Sequence, residues 1–366
     1  LKAGSGSRLR SSPRRSQMRG PRTASVRPRP RLGASAPALA AAAALGAGGA
    51  VAVAAAAVLP VAGFDDPRLA LHRRRCTGPE ASAQAHALAA RALREAGGDE
   101  TAGGSAASRP ARPGACRVAV HYGWDCLRRL LAAREAGRRG IAVGSVLLPE
   151  GVPRSLLDLA AEACGEVYTI GKAAFAAEYG SMVPWGVRRP SARGPSSACR
   201  FSVAWPPSRP LSALRPPLAV LDGLGSAQNV GEVLRTAALL GVRSVVASPS
   251  AWSSLGGRAC RASAGWLYFL DFHLAQPLPA ALLELKARGI RLYAADNHFP
   301  QPVAPHAPRG SDHWALVLGH EEEGLSPEVA ELSDARICVP QRRGESLNVA
   351  HAAAVCLHEL SKHMES

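Results

Sequence analysis

Asparagine, arginine, glutamate and serine side chains stand out where the chain turns from a strand into a helix. Residues 217–241 read PLAVLDGLGSAQNVGEVLRTAALLG: an apolar strand, a Gly-rich turn, then an amphipathic helix over 229–240 with a buried-looking cation, Arg235. Junctions of this kind are where α/β folds place ligands. GHEEEGLS at 319–326 and VPQRRGESLNVAHAAA at 339–354 have the same strand, polar loop and helix form. Three such loops within about 150 residues predict one composite site.

Each loop has a structural and a chemical reading. Asn229 occupies an expected N-cap, and Glu232 three residues on completes a capping-box pattern. Arg235 is either the partner of Glu232 in a helix-surface ion pair or a cation held ready for a phosphate or a reacting hydroxyl. Glu321, Glu322 and Glu323 either form a solvated acidic turn before the helix opened by Ser326-Pro327, or one of them has a purpose at the strand end. In the third loop Ser346 is the expected cap of a terminal helix, with Asn348 exposed in its first turn, able to donate and accept.

Several chemistries are disfavoured. Gly223, Gly225 and Gly231 give G-x-G-x5-G, whereas a dinucleotide fold needs its third glycine sooner, so a nicotinamide-dependent oxidoreductase fits poorly. No G-K-[ST] run exists for a Walker A loop. The eight cysteines form no C-x-x-C pair and the histidines show no ligand spacing, so scattered reduced thiols and no metal site are expected.

The elements that must position these residues follow from periodicity. Strands are expected at 218–222, 243–248, 291–295, 314–318 and 336–339, and helices at 229–240, 257–266, 279–288, 326–333 and 346–362. This alternation predicts an α/β fold with a mostly parallel sheet covered on both faces over 217–366. Upstream, residues 116–190 read as a small α/β domain of helix, strand, helix, strand, helix, and the proline-rich 191–216 as a linker. Residues 65–115 read as a low-complexity linker with a short helix near 80–96.

Residues 1–64 hold ten Lys/Arg and no acid, carrying +10 of the chain's +16, so the remainder is +6. That remainder is mildly basic, as suits a protein that contacts RNA. Expected for residues 1–64 is, first, an organellar transit peptide (plastid or mitochondrion), then a low-complexity leader with the protein cytoplasmic, then a membrane anchor. No membrane partner is expected, because Ala and Gly drive insertion poorly.

Together and in order, three motifs resemble the SpoU/TrmH-type RNA 2′-O-ribose methyltransferases of the SPOUT superfamily. They are Asn229-Val230-Gly231 with Arg235-Thr236-Ala237, Leu318-Gly319-His320-Glu321 through Gly324-Leu325-Ser326, and Glu345-Ser346-Leu347-Asn348-Val349. The stretch RACRASAG at 258–265 is similar to that family's inter-motif helix, and 116–190 is more weakly similar to a small RNA substrate-binding domain with a fold like kink-turn-binding ribosomal proteins. The resemblance implies a trefoil-knotted α/β domain that binds S-adenosyl-L-methionine, requires no metal, acts as a homodimer and methylates a ribose 2′-hydroxyl in structured RNA (rRNA or tRNA). It implies functional polar roles for Asn229, Arg235, Glu321, Ser346 and Asn348, and cofactor contacts near Gly319, Val339 and Leu347. A catalytically silent RNA-binding or ribosome-assembly factor of the same fold is the alternative. The sequence departs from the family's usual pattern at His320 and Glu322. RNA-facing candidates in the small domain are Arg128, Arg129, Arg134, Arg138, Arg139, Arg188 and Arg189.

Overall fold

Six short apolar runs build the sheet that carries the three loops. A computed structural model describes residues 57–73, 78–95, 117–179, 198–204, 208–297, 313–342 and 346–362. Most of the proposed leader, through residue 56, lies outside the described residues, as do Cys76, Cys116, Arg188, Arg189 and Glu345. Among the described residues no helix is long and apolar enough to cross a membrane.

The small domain holds strand β1 (Ala57–Val61), helix α1 (Pro79–Glu95), β2 (Val118–Tyr122), α2 (Trp124–Glu135), β3 (Ala142–Pro149), α3 (Arg154–Ala163), β4 (Glu166–Ile170), α4 (Lys172–Tyr179) and β5 (Arg200–Ala204). Its mixed sheet runs β1-β4-β3-β5-β2. The sheet therefore reaches beyond 116–190 on both sides. β1 falls in the stretch expected to be leader, and β5 in the one expected to be linker. β1 pairs in parallel with β4, and β5 fills the gap between β2 and β3 in antiparallel register. Their partners are distant in sequence, so no local periodicity announces them. α1 buries Ala81, Leu88 and Ala92 against this sheet, which makes 79–95 part of the domain rather than a tether.

The second domain holds β6 (Leu218–Leu221), α5 (Ala227–Leu239), β7 (Ser244–Ala247), α6 (Pro249–Ser254), α7 (Gly257–Ala262), β8 (Asp271–Leu274), α8 (Leu278–Ala287), β9 (Arg291–Ala295), β10 (Trp314–Leu318), α9 (Pro327–Leu332), β11 (Ala335–Ile337) and α10 (Val349–Ser361). All six strands pair in parallel in the order β11-β9-β10-β6-β7-β8. Strands β6, β7 and β10 are wholly buried, as a parallel sheet covered on both faces requires. The expected strands are present, with α6 and β8 in addition; β8, DFHL, carries a buried aspartate that hides it from a hydrophobic scan.

Sheet order matters for the site. β10 lies between β9 and β6, so the loops leaving β6 and β10 emerge side by side. Asp222 N–H donates to the Leu318 carbonyl at 2.8 Å, and the Asp222 carboxylate accepts from Ser326 N–H at 2.8 Å. The first two loops are thus tied to each other where their strands end. α10 packs on α5, and Ser361 Oγ donates to the Leu240 carbonyl at 3.0 Å, bringing the third loop to the same place.

Candidate functional site

The centre of the site is a hydrogen-bonded chain across all three loops. Glu321 Oε1 accepts from Asn229 Nδ2 at 2.9 Å and from Ser226 N–H at 3.1 Å, while Oε2 accepts from Gly225 N–H at 3.2 Å. Asn229 Oδ1 in turn accepts from Asn348 Nδ2 at 3.1 Å. One carboxylate and two amides therefore join residues 92 and 119 positions apart in sequence. Burial pushes the Glu321 carboxyl up, but the bonds from Asn229 and the surrounding backbone N–H groups outweigh it and hold the group below its usual range. Glu321 is charged at neutral pH.

Helix caps explain how the amides come to be there, and they differ from the sequence expectation. α5 begins at Ala227 with Ser226 as its N-cap, whose hydroxyl accepts from Asn229 N–H at 3.4 Å. Asn229 therefore sits inside the first turn with its side chain free to reach Glu321. Glu232 accepts from Gln228 at 2.6 Å rather than closing a capping box. α10 is capped by Asn348, not Ser346: Asn348 Oδ1 accepts from Ala350 N–H at 2.8 Å, which leaves its Nδ2 for Asn229.

The acidic loop is pinned by its flanking residues. His320 and Gly324 exchange both backbone hydrogen bonds, at 2.8 and 3.0 Å. His320 Nδ1 accepts from the N–H groups of Glu322 and Glu323 at 3.2 and 3.3 Å, so its proton resides on Nε2. Gly319 allows the chain to double back. A Cβ there would meet the Gly324 carbonyl carbon at 2.4 Å and Leu325 N at 2.5 Å.

Beside this chain lies a cavity between the ends of β9, β10 and β11 and the start of α10. Gly319, Glu321, Val339, Ser346 and Leu347 line it; Asn229, Asn348 and Arg235 do not. Its walls mix apolar side chains such as Leu318, Ile337 and Val349 with three carboxylates, Asp296, Glu321 and Glu322, and hold no lysine or arginine among the described residues. An apolar slot edged with negative charge suits a cationic ligand with a flat apolar part. It is a poor seat for pyrophosphate. Cys338 and Cys356 also line it, and burial raises both thiols, Cys356 to about 12, so neither is a ready nucleophile. No cluster of three or more metal-ligating side chains occurs among the described residues.

Arg235 corrects the expectation of a buried cation. It is exposed, and has no hydrogen-bond or ion-pair partner among the described residues, Glu232 included. Six residues at about 100° each place it about 120° around α5 from Asn229, so it faces away from the Glu321 chain. It shares its outward face with Leu239, which is 53% exposed. Sequence reasoning did not single out Ser226, Asp222 or Asp296; a serine three residues before an amide is the one signal that marks Ser226 as the cap.

Residues 216–358 match the family model described as the SpoU rRNA Methylase family. The match spans the second domain. Over 148 residues the chain is 36% identical to an uncharacterized tRNA/rRNA methyltransferase of Mycobacterium tuberculosis, covering 40% of this chain and 51% of that protein. It is 31% identical over 144 residues to the 23S rRNA (guanosine(2553)-2′-O)-methyltransferase RlmP of Bacillus subtilis, covering 38% of this chain and 56% of that one. The chain thus spans about half the length of the curated relatives it matches. Across 84% of this chain and 99% of the other, the fold is similar to a crystal structure of an rRNA methyltransferase from Sinorhizobium meliloti, with a TM-score of 0.57 and 18% identity. That likeness in fold reaches well beyond the segment matched by the family model.

Proposed function

We propose that the protein is an S-adenosylmethionine-dependent RNA 2′-O-ribose methyltransferase acting on structured RNA, rRNA or tRNA. The observation that carries this reading is the Glu321–Asn229–Asn348 chain set beside an apolar, acid-edged cavity lined by no lysine or arginine among the described residues. A related crystal structure, of the Sinorhizobium enzyme, is described as AdoMet-bound. Here Gly319, Val339 and Leu347 would hold the cofactor's apolar part, and Glu321 and Glu322 would face its positive charge, since Asp296 is paired with Arg336 at 3.4 Å. When bound, that cofactor supplies a methyl group on a sulfonium sulfur.

The chain's own residues then have defined tasks. Glu321, fixed by three donors, keeps the acidic loop against the β6 turn. Asn229 spends both ends of its amide linking Glu321 to Asn348, so it sets the spacing of the three loops. Ser346 stands at the cavity wall, where its hydroxyl can meet the ligand. The ribose hydroxyl must lie in line with the methyl group, about 3 Å away. The guanidinium of Arg235 orients the hydroxyl and neutralises the adjacent phosphate.

Arg235 faces away from its own cavity, so the reading includes a homodimer in which the partner's Arg235 completes each site. Leu239, one turn along α5 from Arg235 and exposed, supports an interface on that face. A SPOUT-type knot at the β10–α10 region and an organellar address belong to the same proposal.

Mixing two dead variants tests it. Arg235→Ala and Glu321→Gln should each transfer little radiolabelled methyl to an rRNA or tRNA transcript. Unfolded and refolded together, they should recover about a quarter of wild-type activity. Half of the dimers are then mixed, each with one intact site of two. No recovery would place Arg235 in its own chain's site. No transfer by the wild type, with no calorimetric binding of S-adenosylhomocysteine, would point to a silent RNA-binding factor.

A further inference from the structure

The basic residues expected to face RNA in the small domain are largely occupied within the protein. Arg134 donates to the Ile141 and Ala163 carbonyls, Arg138 pairs with Asp271, and Arg129 donates to the Ala264 carbonyl and stacks over Trp266. The contacts of Arg138 and Arg129 tie the small domain to the second domain, whereas those of Arg134 stay within the small domain. A different group of arginines gathers at the seam between the two domains.

The seam forms where the start of α7 presses on the end of β2. A Cβ on Gly257 would meet the Val120 carbonyl oxygen at 2.4 Å and the Tyr122 ring at 3.3 Å. This close contact sets α7, and with it Arg258 and Arg261, beside Tyr122. From the small domain, the buried guanidinium of Arg200 lies 4.8 Å over the Tyr122 ring and 3.8 Å over that of Tyr179. Burial raises the Tyr122 hydroxyl, while Arg200, Arg258 and Arg261 pull it back, so all three cations act on one spot. Arg258 is exposed and enters no hydrogen bond or ion pair among the described residues; Arg261 is half-buried. Glu178 is the carboxylate felt by Arg200.

This cluster is joined to the catalytic turn. Ser254, four residues before Arg258, donates its hydroxyl to the Gly225 carbonyl at 2.8 Å, and Gly225 N–H donates to Glu321. We propose that the seam centred on Arg258, Arg261 and Tyr122 is a contact surface for the RNA phosphate backbone, flanking the modified nucleotide and shared by the two domains. This rests on the RNA methyltransferase reading above. Arg258 supplies an unpaired charge, Tyr122 a half-exposed ring, and Arg200 a buried positive charge behind it. Two domains held rigidly at this line present both halves of the surface at fixed spacing.

The test is the salt dependence of binding. Wild type, Arg258→Ala, Arg258→Glu and the control Arg154→Ala on α3 are titrated with an in vitro transcript of large-subunit rRNA and with a tRNA transcript between 0.05 and 0.3 M KCl. Losing one phosphate contact should make the log–log slope shallower by about 0.7 to 0.9 and weaken binding about 6-fold at 0.1 M KCl. Arg258→Glu should lose more, and Arg154→Ala should match wild type. In all variants S-adenosylhomocysteine affinity stays constant and the effect on turnover falls on KM for RNA rather than kcat. Wild-type slope and affinity in both Arg258 variants, with intact methyl transfer, would overturn the seam alone. Absence of salt-dependent RNA binding by the wild type would overturn the seam and the enzymatic reading together.

Discussion

Replacing Glu321 by glutamine changes no volume and probes the centre of the site. The carboxylate accepts from Asn229 and Ser226 on Oε1 and from Gly225 on Oε2. A glutamine with its oxygen at the Oε1 position keeps two of these bonds but loses their charge assistance. Its amide nitrogen then faces the Gly225 N–H across a distance now 3.2 Å, donor against donor. Hydrogen bonds to a charged group are worth about 1.5–3 kcal/mol and neutral ones about 1, so the substitution costs about 2–3 kcal/mol at the loop. If the cost falls on the assembled site, kcat/KM drops about 30- to 150-fold, at 1.36 kcal/mol per decade. Radiolabelled methyl transfer measures the rate, and calorimetry with S-adenosylhomocysteine measures the cavity. Glu323→Gln, whose exposed carboxylate does not line the cavity and enters no hydrogen bond or ion pair among the described residues, should stay within about twofold as a surface change. Glu321→Gln within threefold of wild type in both measurements would refute the claim that this carboxylate organises the three loops. The lowered pKa adds a direction: the loop's contribution is present above the unfolded carboxyl value and fades as pH falls through the folded one.

Other perturbations test the scaffold. Gly231→Ala should destabilise by about 1–3 kcal/mol and lower Tm by roughly 3–10 °C in a thermal melt, because its Cβ would meet the Ala259 carbonyl at 2.4 Å and Ala262 Cβ at 2.5 Å, between two helices that cannot part cheaply; Gly165→Ala, with nothing within 4 Å, should leave Tm unchanged. His72 and His121 are fully buried, and burial depresses both to about 3. The unfolded chain therefore binds more protons than the fold between pH 3 and about 6.5, and stability should fall on acidification by up to about 1.4 kcal/mol per pH unit for each histidine, measured by denaturant melts across that range. Leu239→Glu on the outward face of α5 should shift sedimentation from dimer to monomer and remove activity while leaving the far-ultraviolet spectrum intact; a wild type that sediments as a monomer would remove the basis for the shared site.

The sequence by itself determined the kinds of element and the kinds of loop. Apolar strands that run into polar, Gly-rich turns and then amphipathic helices have a local period, and every strand expected between 218 and 339 is present. What each polar side chain meets was a different matter. The exact caps moved by a few residues because Ser226 and Asn348 compete with Asn229 and Ser346 for the same orphan N–H groups, and tertiary geometry chose between them. The small domain's outer strands, β1 and β5, draw their stability from partners far along the chain, so a leader-like and a linker-like composition concealed them. Arg235 looked like a buried cation because an apolar helix surrounds it; rotation of α5 in the packed structure turned it to solvent. Only the placing of β10 between β9 and β6 set Glu321 beside Asn229. Hydrogen bonds and burial depend on neighbours in space, and a parallel sheet brings those neighbours together across separations that no local pattern can encode.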